Sequence, residues 1–130
     1  MSTSVLIVDD SSAVRAYVRA ALEDAPALDV EVSEAVSGFE ALRLLPRQSF
    51  DLLILDINMP NIHGLELISM LRRSDQYKAI PVLVISSESS ERDKQRAFEL
   101  GADAFLAKPF DSEALLAEVT RLFAAAPGSA

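Results

Sequence analysis

The chain has 130 residues, 50% of them hydrophobic and 25% charged, with a formal net charge of −8. That size fits one domain able to bury roughly two thirds of its unfolded surface, and no apolar run approaches the ~20 residues of a membrane span. The negative charge argues against direct binding to nucleic acid or to an anionic membrane surface, both of which call for clustered cations.

Short apolar runs alternate along the chain with helix-length amphipathic segments. Val5-Leu6-Ile7-Val8-Asp9-Asp10 opens as a strand whose charge is held back to its end. Ser11 or Ser12 then provides an N-cap, and Val14, Tyr17, Val18, Ala21 and Leu22 share a helix face. Asp29 to Ala35 is shorter and more polar, with Val30, Val32 and Ala35 set against Glu31, Ser33 and Glu34, as in an edge-side strand. Ser37-Gly38 opens a second helix with Phe39, Leu42 and Leu45 on one side, closed by Pro46.

Leu52-Leu53-Ile54-Leu55-Asp56 is the third strand and again ends on an acid. A turn-rich stretch from Asn58 to Gly64 leads to a helix with Leu65, Ile68 and Leu71 in register. Pro81 precedes a fourth strand, Val82 to Ser86. Glu91 to Leu100 reads as a helix with a thin apolar stripe (Ala97, Phe98, Leu100), followed by Gly101 at a left-handed cap position. Ala104 to Ala107 is a fifth strand, and Asp111 caps a last helix with Leu115, Val119 and Leu122 on one face.

Five strands alternating with five helices predict right-handed βαβ units and a parallel sheet covered on both faces. The expected fold is a single-domain α/β, flavodoxin-like, doubly wound five-stranded sheet. It occupies residues 1–124, with 125–130 as a flexible tail. Met1-Ser2-Thr3-Ser4 runs into the first strand with no signal-peptide pattern. The expected location is therefore cytoplasmic. The absence of cysteine rules out a disulfide framework.

The acids ending the first and third strands carry the chemistry. Functional groups gather at the carboxyl ends of strands in open parallel sheets. If these two strands are neighbours, Asp9, Asp10 and Asp56 share one small volume and need a cation or a proton. Their hard oxygens favour Mg²⁺, with Mn²⁺ as a substitute. Taken singly, an acidic pair after a strand is usually a helix cap.

Val8-Asp9-Asp10-Ser11, Asp56 followed by Met59-Pro60 and Gly64, Ser86 ending the fourth strand, and Lys108-Pro109 after the fifth together resemble a response-regulator receiver domain, CheY-like. The likeness covers residues 4 to 123. The stretch from Val8 to Arg15 is most similar to stand-alone chemotaxis and motility receivers. The resemblance implies Asp56 as phosphoacceptor for a histidine kinase, with Asp9, Asp10, Asp56 and the Asn58 backbone carbonyl around Mg²⁺. Lys108 and Ser86 would contact the phosphoryl group, and the Lys108–Pro109 bond would be cis.

Further roles follow from the same resemblance. Ser86 and Phe105 form the switch, the alternative for Phe105 being plain core; as a switch residue, Phe105→Leu should alter partner binding and leave Asp56 phosphorylation intact. Asn58 and Glu88 flank the path of the hydrolytic water. A protein target reads the face made by helix four, strand five and helix five. Such a module catalyses its own phosphorylation and dephosphorylation but is not a turnover enzyme. His63, the single histidine, is assigned nothing.

Rival readings are weaker. A haloacid-dehalogenase-type phosphatase wants a second Asp two residues after the nucleophile, where Asn58 stands. A flavodoxin would have its phosphate repelled by Asp9 and Asp10, and no Trp is present for stacking beside Tyr17 and Tyr77. A phosphorylation-independent receiver, serving as an interaction module, would normally lack one of the acids, the hydroxyl or the lysine.

Overall fold

The structure is a computed structural model and describes residues 3–58, 64–87 and 91–125. Among these, five strands and five α-helices alternate: β1 (Thr3–Val8), α1 (Ser12–Glu23), β2 (Val30–Ala35), α2 (Gly38–Leu44), β3 (Leu52–Asp56), α3 (Gly64–Arg72), β4 (Val82–Ser86), α4 (Glu91–Leu100), β5 (Ala104–Ala107) and α5 (Ser112–Ala125). A 3₁₀ turn at Leu45–Arg47 carries Pro46 beyond α2. Helix α5 ends at Ala125, one residue past the expected domain end at 124.

All strand pairings are parallel, in the order β2-β1-β3-β4-β5. This is the doubly wound, flavodoxin-like arrangement, and it puts the polar β2 at an edge. Alternate residues along the strands feed two cores. Leu6, Val8, Leu53, Leu55, Val82 and Val84 pack with Ala41, Leu67, Ile68, Leu71 and Ala97 from α2, α3 and α4. Val5, Ile7, Leu52, Ile54, Leu83 and Ile85 pack with Val18 and Leu22 of α1 and Leu115, Val119 and Leu122 of α5. The central strands β3 and β4 are buried along their whole length. Burial on both faces explains why they carry no alternation.

Local signals set the helix ends. Ser11 and Ser37 cap α1 and α2 by accepting from the amides of Val14 and Glu40, and Asp111 accepts from the Ala114 amide at the start of α5. Gly101, after α4, has φ of 119°, a backbone state open chiefly to glycine. In α4 itself only Ala97 is buried, in keeping with its thin stripe.

Three side chains depart from the expected faces. Tyr17 is 47% exposed, its ring edge-on to Phe110 with centroids 6.0 Å apart. Phe39 is 52% exposed. Gly38 and Ala41 are the buried residues of α2, small enough to let the helix lie close to the sheet, and Leu45 is the buried residue of the 3₁₀ turn after it. Glu34 pairs with Ile7 in the β1–β2 register. It therefore shares the α1-facing side with Val30 and Val32, while Ala35 joins the opposite core.

Candidate functional site

The site lies where β1, β3, β4 and β5 end. Strand β1 stops at Val8, and the chain turns into α1 through Asp9, whose amide still bonds the Ala35 carbonyl of β2 at 3.1 Å. The Asp9 carboxylate is fully buried. It accepts from the Ser11 amide at 2.8 Å and from Lys108 Nζ at 2.9 Å. Asp10, next in the chain, is exposed.

Asp56 closes β3 and is 4% exposed. Its Oδ1 accepts from the Asn58 amide at 3.0 Å, and its Oδ2 faces Lys108 Nζ at 3.4 Å. Burial pushes the Asp56 carboxyl above the usual carboxylate range and the Asp9 charge adds to this, against the Asn58 amide and the Lys108 ammonium.

Each of Asp9, Asp10 and Asp56 offers one carboxylate oxygen, and these oxygens lie within 4.8 Å of one another. At an effective dielectric of about 20, unit charges so close repel by roughly 3 kcal/mol per pair or more. That is large against a total domain stability of about 5–15 kcal/mol. Three carboxylates against the one ammonium of Lys108 leave two negative charges, the amount a divalent cation offsets. An all-oxygen donor set of this size fits Mg²⁺ or Mn²⁺.

Ser86, at the end of β4, is fully buried. Its hydroxyl accepts from the Asn58 side-chain amide at 3.0 Å. Its carbonyl accepts from the Lys108 amide at 2.8 Å, which fixes the start of the lysine side chain. The Lys108–Pro109 bond is cis, as the resemblance implied.

The structure thus brings Asp9, Asp10, Asp56, Asn58, Ser86 and Lys108 to one end of the sheet. Phe105 pairs with Val84 in register and is partly buried against the core beneath α2, α3 and α4. Glu88 and His63 fall outside the described residues.

Gly64 sets the close approach of α3 to the site. A Cβ there would sit 2.4 Å from Ile57 Cα and 2.6 Å from the Asp56 carbonyl oxygen. Both are backbone atoms that no rotamer change can move.

Two residues to which the sequence reading gave no role also reach this end. Arg15 donates to the Asp9 carbonyl at 2.7 Å and to Glu34 at 2.8 Å. A stricter period of two along β2 would have put Glu34 beside Val30 and Val32, facing α1. Arg15 and Arg19, four residues apart, lie on the α1 face that meets it.

Known proteins resemble this chain over most of its length. Over 121 residues the chain is 40% identical to the transcriptional regulatory protein PrrA of Mycobacterium tuberculosis, covering 93% of this chain and 50% of that one. It is 32% identical over 119 residues to chemotaxis protein CheY-3 of Vibrio cholerae, covering 92% of this chain and 90% of that protein. The solved structure of the chemotaxis response regulator CheY4 of Vibrio cholerae superposes with a TM-score of 0.85 at 38% identity, covering 94% of this chain and 99% of that one. The chain spans about half the length of most of the curated relatives it matches, between 45% and 57% for seven of them. The family model described as the response regulator receiver domain matches residues 5–120, and the chain belongs to that family of two-component signalling modules, which are not turnover enzymes.

Proposed function

We propose that residues 1–124 act as the phosphoacceptor domain of a phosphorelay, with Asp56 receiving the phosphoryl group from the phosphohistidine of a histidine kinase. The observation that carries this reading is the placing of Asp56 Oδ2 3.4 Å from Lys108 Nζ inside the three-carboxylate cluster. In the transfer the phosphorus–nitrogen bond of the donor breaks as a phosphorus–oxygen bond to Asp56 forms, giving an acyl phosphate. Lys108 lies where its ammonium can meet the phosphoryl oxygens, and Ser86 supplies a hydroxyl donor at the end of the neighbouring strand β4. Asp9, Asp10, Asp56 and the Asn58 carbonyl would hold Mg²⁺, or Mn²⁺ in its place, which when bound neutralises charge on the phosphoryl oxygens.

The readout is a change of protein binding. Ser86 and Phe105 shift together, and the face of α4, β5 and α5 meets a protein target. Asn58 and Glu88 tune the hydrolysis that ends the signal. The likeness to CheY-3 and to the chemotaxis response regulator CheY4 supports chemotaxis- or motility-type signalling. The net charge of −8 supports a role for this stretch of chain without direct contact to nucleic acid or membrane, although longer relatives include a DNA-binding dual master transcriptional regulator, RpaA, of Synechocystis. No helix among the described residues is long and apolar enough to cross a membrane. A cytoplasmic location, where phosphohistidine donors act, belongs to the same proposal.

Mass spectrometry of the chain with acetyl phosphate and Mg²⁺ tests the reading. One phosphoryl adduct is expected on the wild type and none on Asp56→Asn. If the wild type takes up neither phosphoryl nor beryllofluoride, the domain is a phosphorylation-independent interaction module.

A further inference from the structure

Asp9 and Asp10 share a peptide group, and the Asp9 carbonyl is its acceptor end. Arg15 Nη1 donates to that carbonyl at 2.7 Å. Because a peptide is planar, fixing its carbonyl also fixes the direction in which the Asp10 amide and Cα leave it. The Asp9 carboxylate is already held by Ser11 and Lys108, but Asp10 is exposed. Its aim toward Asp56 rests on the backbone beneath it.

Arg15 is in turn held. Its Nε lies 2.8 Å from Glu34 Oε1, while Arg19 Nε lies 2.7 Å from Glu34 Oε2. Arg19 also donates to the Val32 carbonyl at 3.2 Å. The Glu34 carboxylate therefore sits in a fork of two guanidiniums, and the Arg15 side chain is only 13% exposed. Partial burial pushes the Glu34 carboxyl up, but the hydrogen bonds from Arg19 and Arg15 outweigh it and hold the group below the usual range. The fork thus stays charged at neutral pH.

We propose that Arg15, anchored by Glu34 on the edge strand β2, is a positioning residue for divalent-cation binding: it locks the Asp9–Asp10 peptide so that the Asp10 carboxylate meets Asp9 and Asp56. This rests on the reading of the acidic cluster as a metal site given above. Electrostatics alone predicts the opposite sign. Removing a cation beside an acidic cluster strengthens the attraction for Mg²⁺, whereas removing a positioning contact weakens it, typically by 10- to 100-fold for partners just outside the ligands.

Isothermal titration of the full chain with MgCl₂, and with MnCl₂, separates the two. The wild type binds, Asp10→Asn loses binding, and Arg15→Met binds about tenfold more weakly with an unchanged circular dichroism spectrum. Glu34→Asp keeps the charge but is one methylene too short for the fork, so it also binds more weakly, and it carries the test should Arg15→Met not fold. Equal or tighter binding by folded Arg15→Met overturns the proposal, as does undiminished binding by Glu34→Asp. Failure of the wild type to bind either metal removes the metal site, and this inference with it. Wild-type binding with an unaffected Arg15→Met removes the inference alone.

Discussion

Asn58 donates its side-chain amide to the Ser86 hydroxyl across 3.0 Å, linking the ends of β3 and β4 beside the Asp56 carboxylate. A hydroxyl can accept one bond and still donate its own proton, so Asn58 leaves Ser86 able to point its hydrogen at a phosphoryl oxygen. Asn58→Ala removes that orientation while keeping the backbone amide that bonds Asp56. Beryllofluoride binding with Mg²⁺ is expected to weaken by about fivefold, the worth of one such bond near 1 kcal/mol. Ser86→Ala should lose a similar amount. The double variant should be no worse than Ser86→Ala alone; losses that multiply in the cycle would mean the two side chains act separately.

The raised pKa of Asp56, caused first by burial and next by the Asp9 charge, makes this residue a liability to the metal-free fold. A carboxyl with a raised folded-state pKa binds its proton more tightly folded than unfolded. Stability therefore falls as pH rises from the unfolded value near ~3.9 through the folded one. Asp56→Asn removes the buried charge. In chelator at about pH 7 the variant is expected to melt some 4 °C higher, on the order of 1 kcal/mol, with the difference gone near pH 3. Mg²⁺ at ten times its dissociation constant should return about 1.4 kcal/mol to the wild type and close the gap. A variant less stable than wild type at neutral pH without metal would contradict the sign.

The parallel sheet was legible in the sequence because β3 and β4 are buried on both faces and read as uninterrupted apolar runs. The acids at strand ends were legible for a related reason: a charge directly after such a run has only the carboxyl end of the sheet to occupy. Side-chain partners across elements were not. Nothing in the chain order tells that Asn58 turns its amide onto Ser86, twenty-eight residues on. Polarity alone sets Glu34 among the outward residues of β2, where a stricter period of two puts it facing α1. Helical spacing places Phe39 inward, yet the small Gly38 and Ala41 take the buried positions of α2.

Gly64 meets a steric requirement that only the geometry reveals. With a Cβ 2.4 Å from Ile57 Cα and 2.6 Å from the Asp56 carbonyl, Gly64→Ala must push α3 away from the end of β3. Overpacking against fixed backbone costs about 1–3 kcal/mol. Since one of the crowded atoms is the carbonyl oxygen of Asp56 itself, phosphorylation by acetyl phosphate should slow along with the loss of stability. Urea denaturation and the rate of adduct formation check both. A variant with unchanged midpoint and rate would show that the junction can relax at no cost.

Helix α4 is held at its far end more than along its length. It buries Ala97, where α3 buries Gly64, Leu67, Ile68 and Leu71. At its C-terminus Arg72 of α3 donates to the Gly101 carbonyl at 3.0 Å, to the Ile80 carbonyl at 2.8 Å and to Asp103 at 2.9 Å. Asp103 also accepts from the Val82 amide at 2.8 Å. This clasp fixes the helix next to β4 and β5 while its face gives little anchorage. Native-state hydrogen exchange should show the α4 amides opening at lower free energy than those of α3. Arg72→Met should lower the α4 value further, by roughly 2 kcal/mol, as hydrogen bonds from a charged donor are lost. The strands β1 and β3 should change only as far as global stability does. Equal protection of α3 and α4 in the wild type would sink the weak-anchorage argument, and an Arg72→Met effect spread evenly over the chain would show that the clasp serves the whole fold and not this helix.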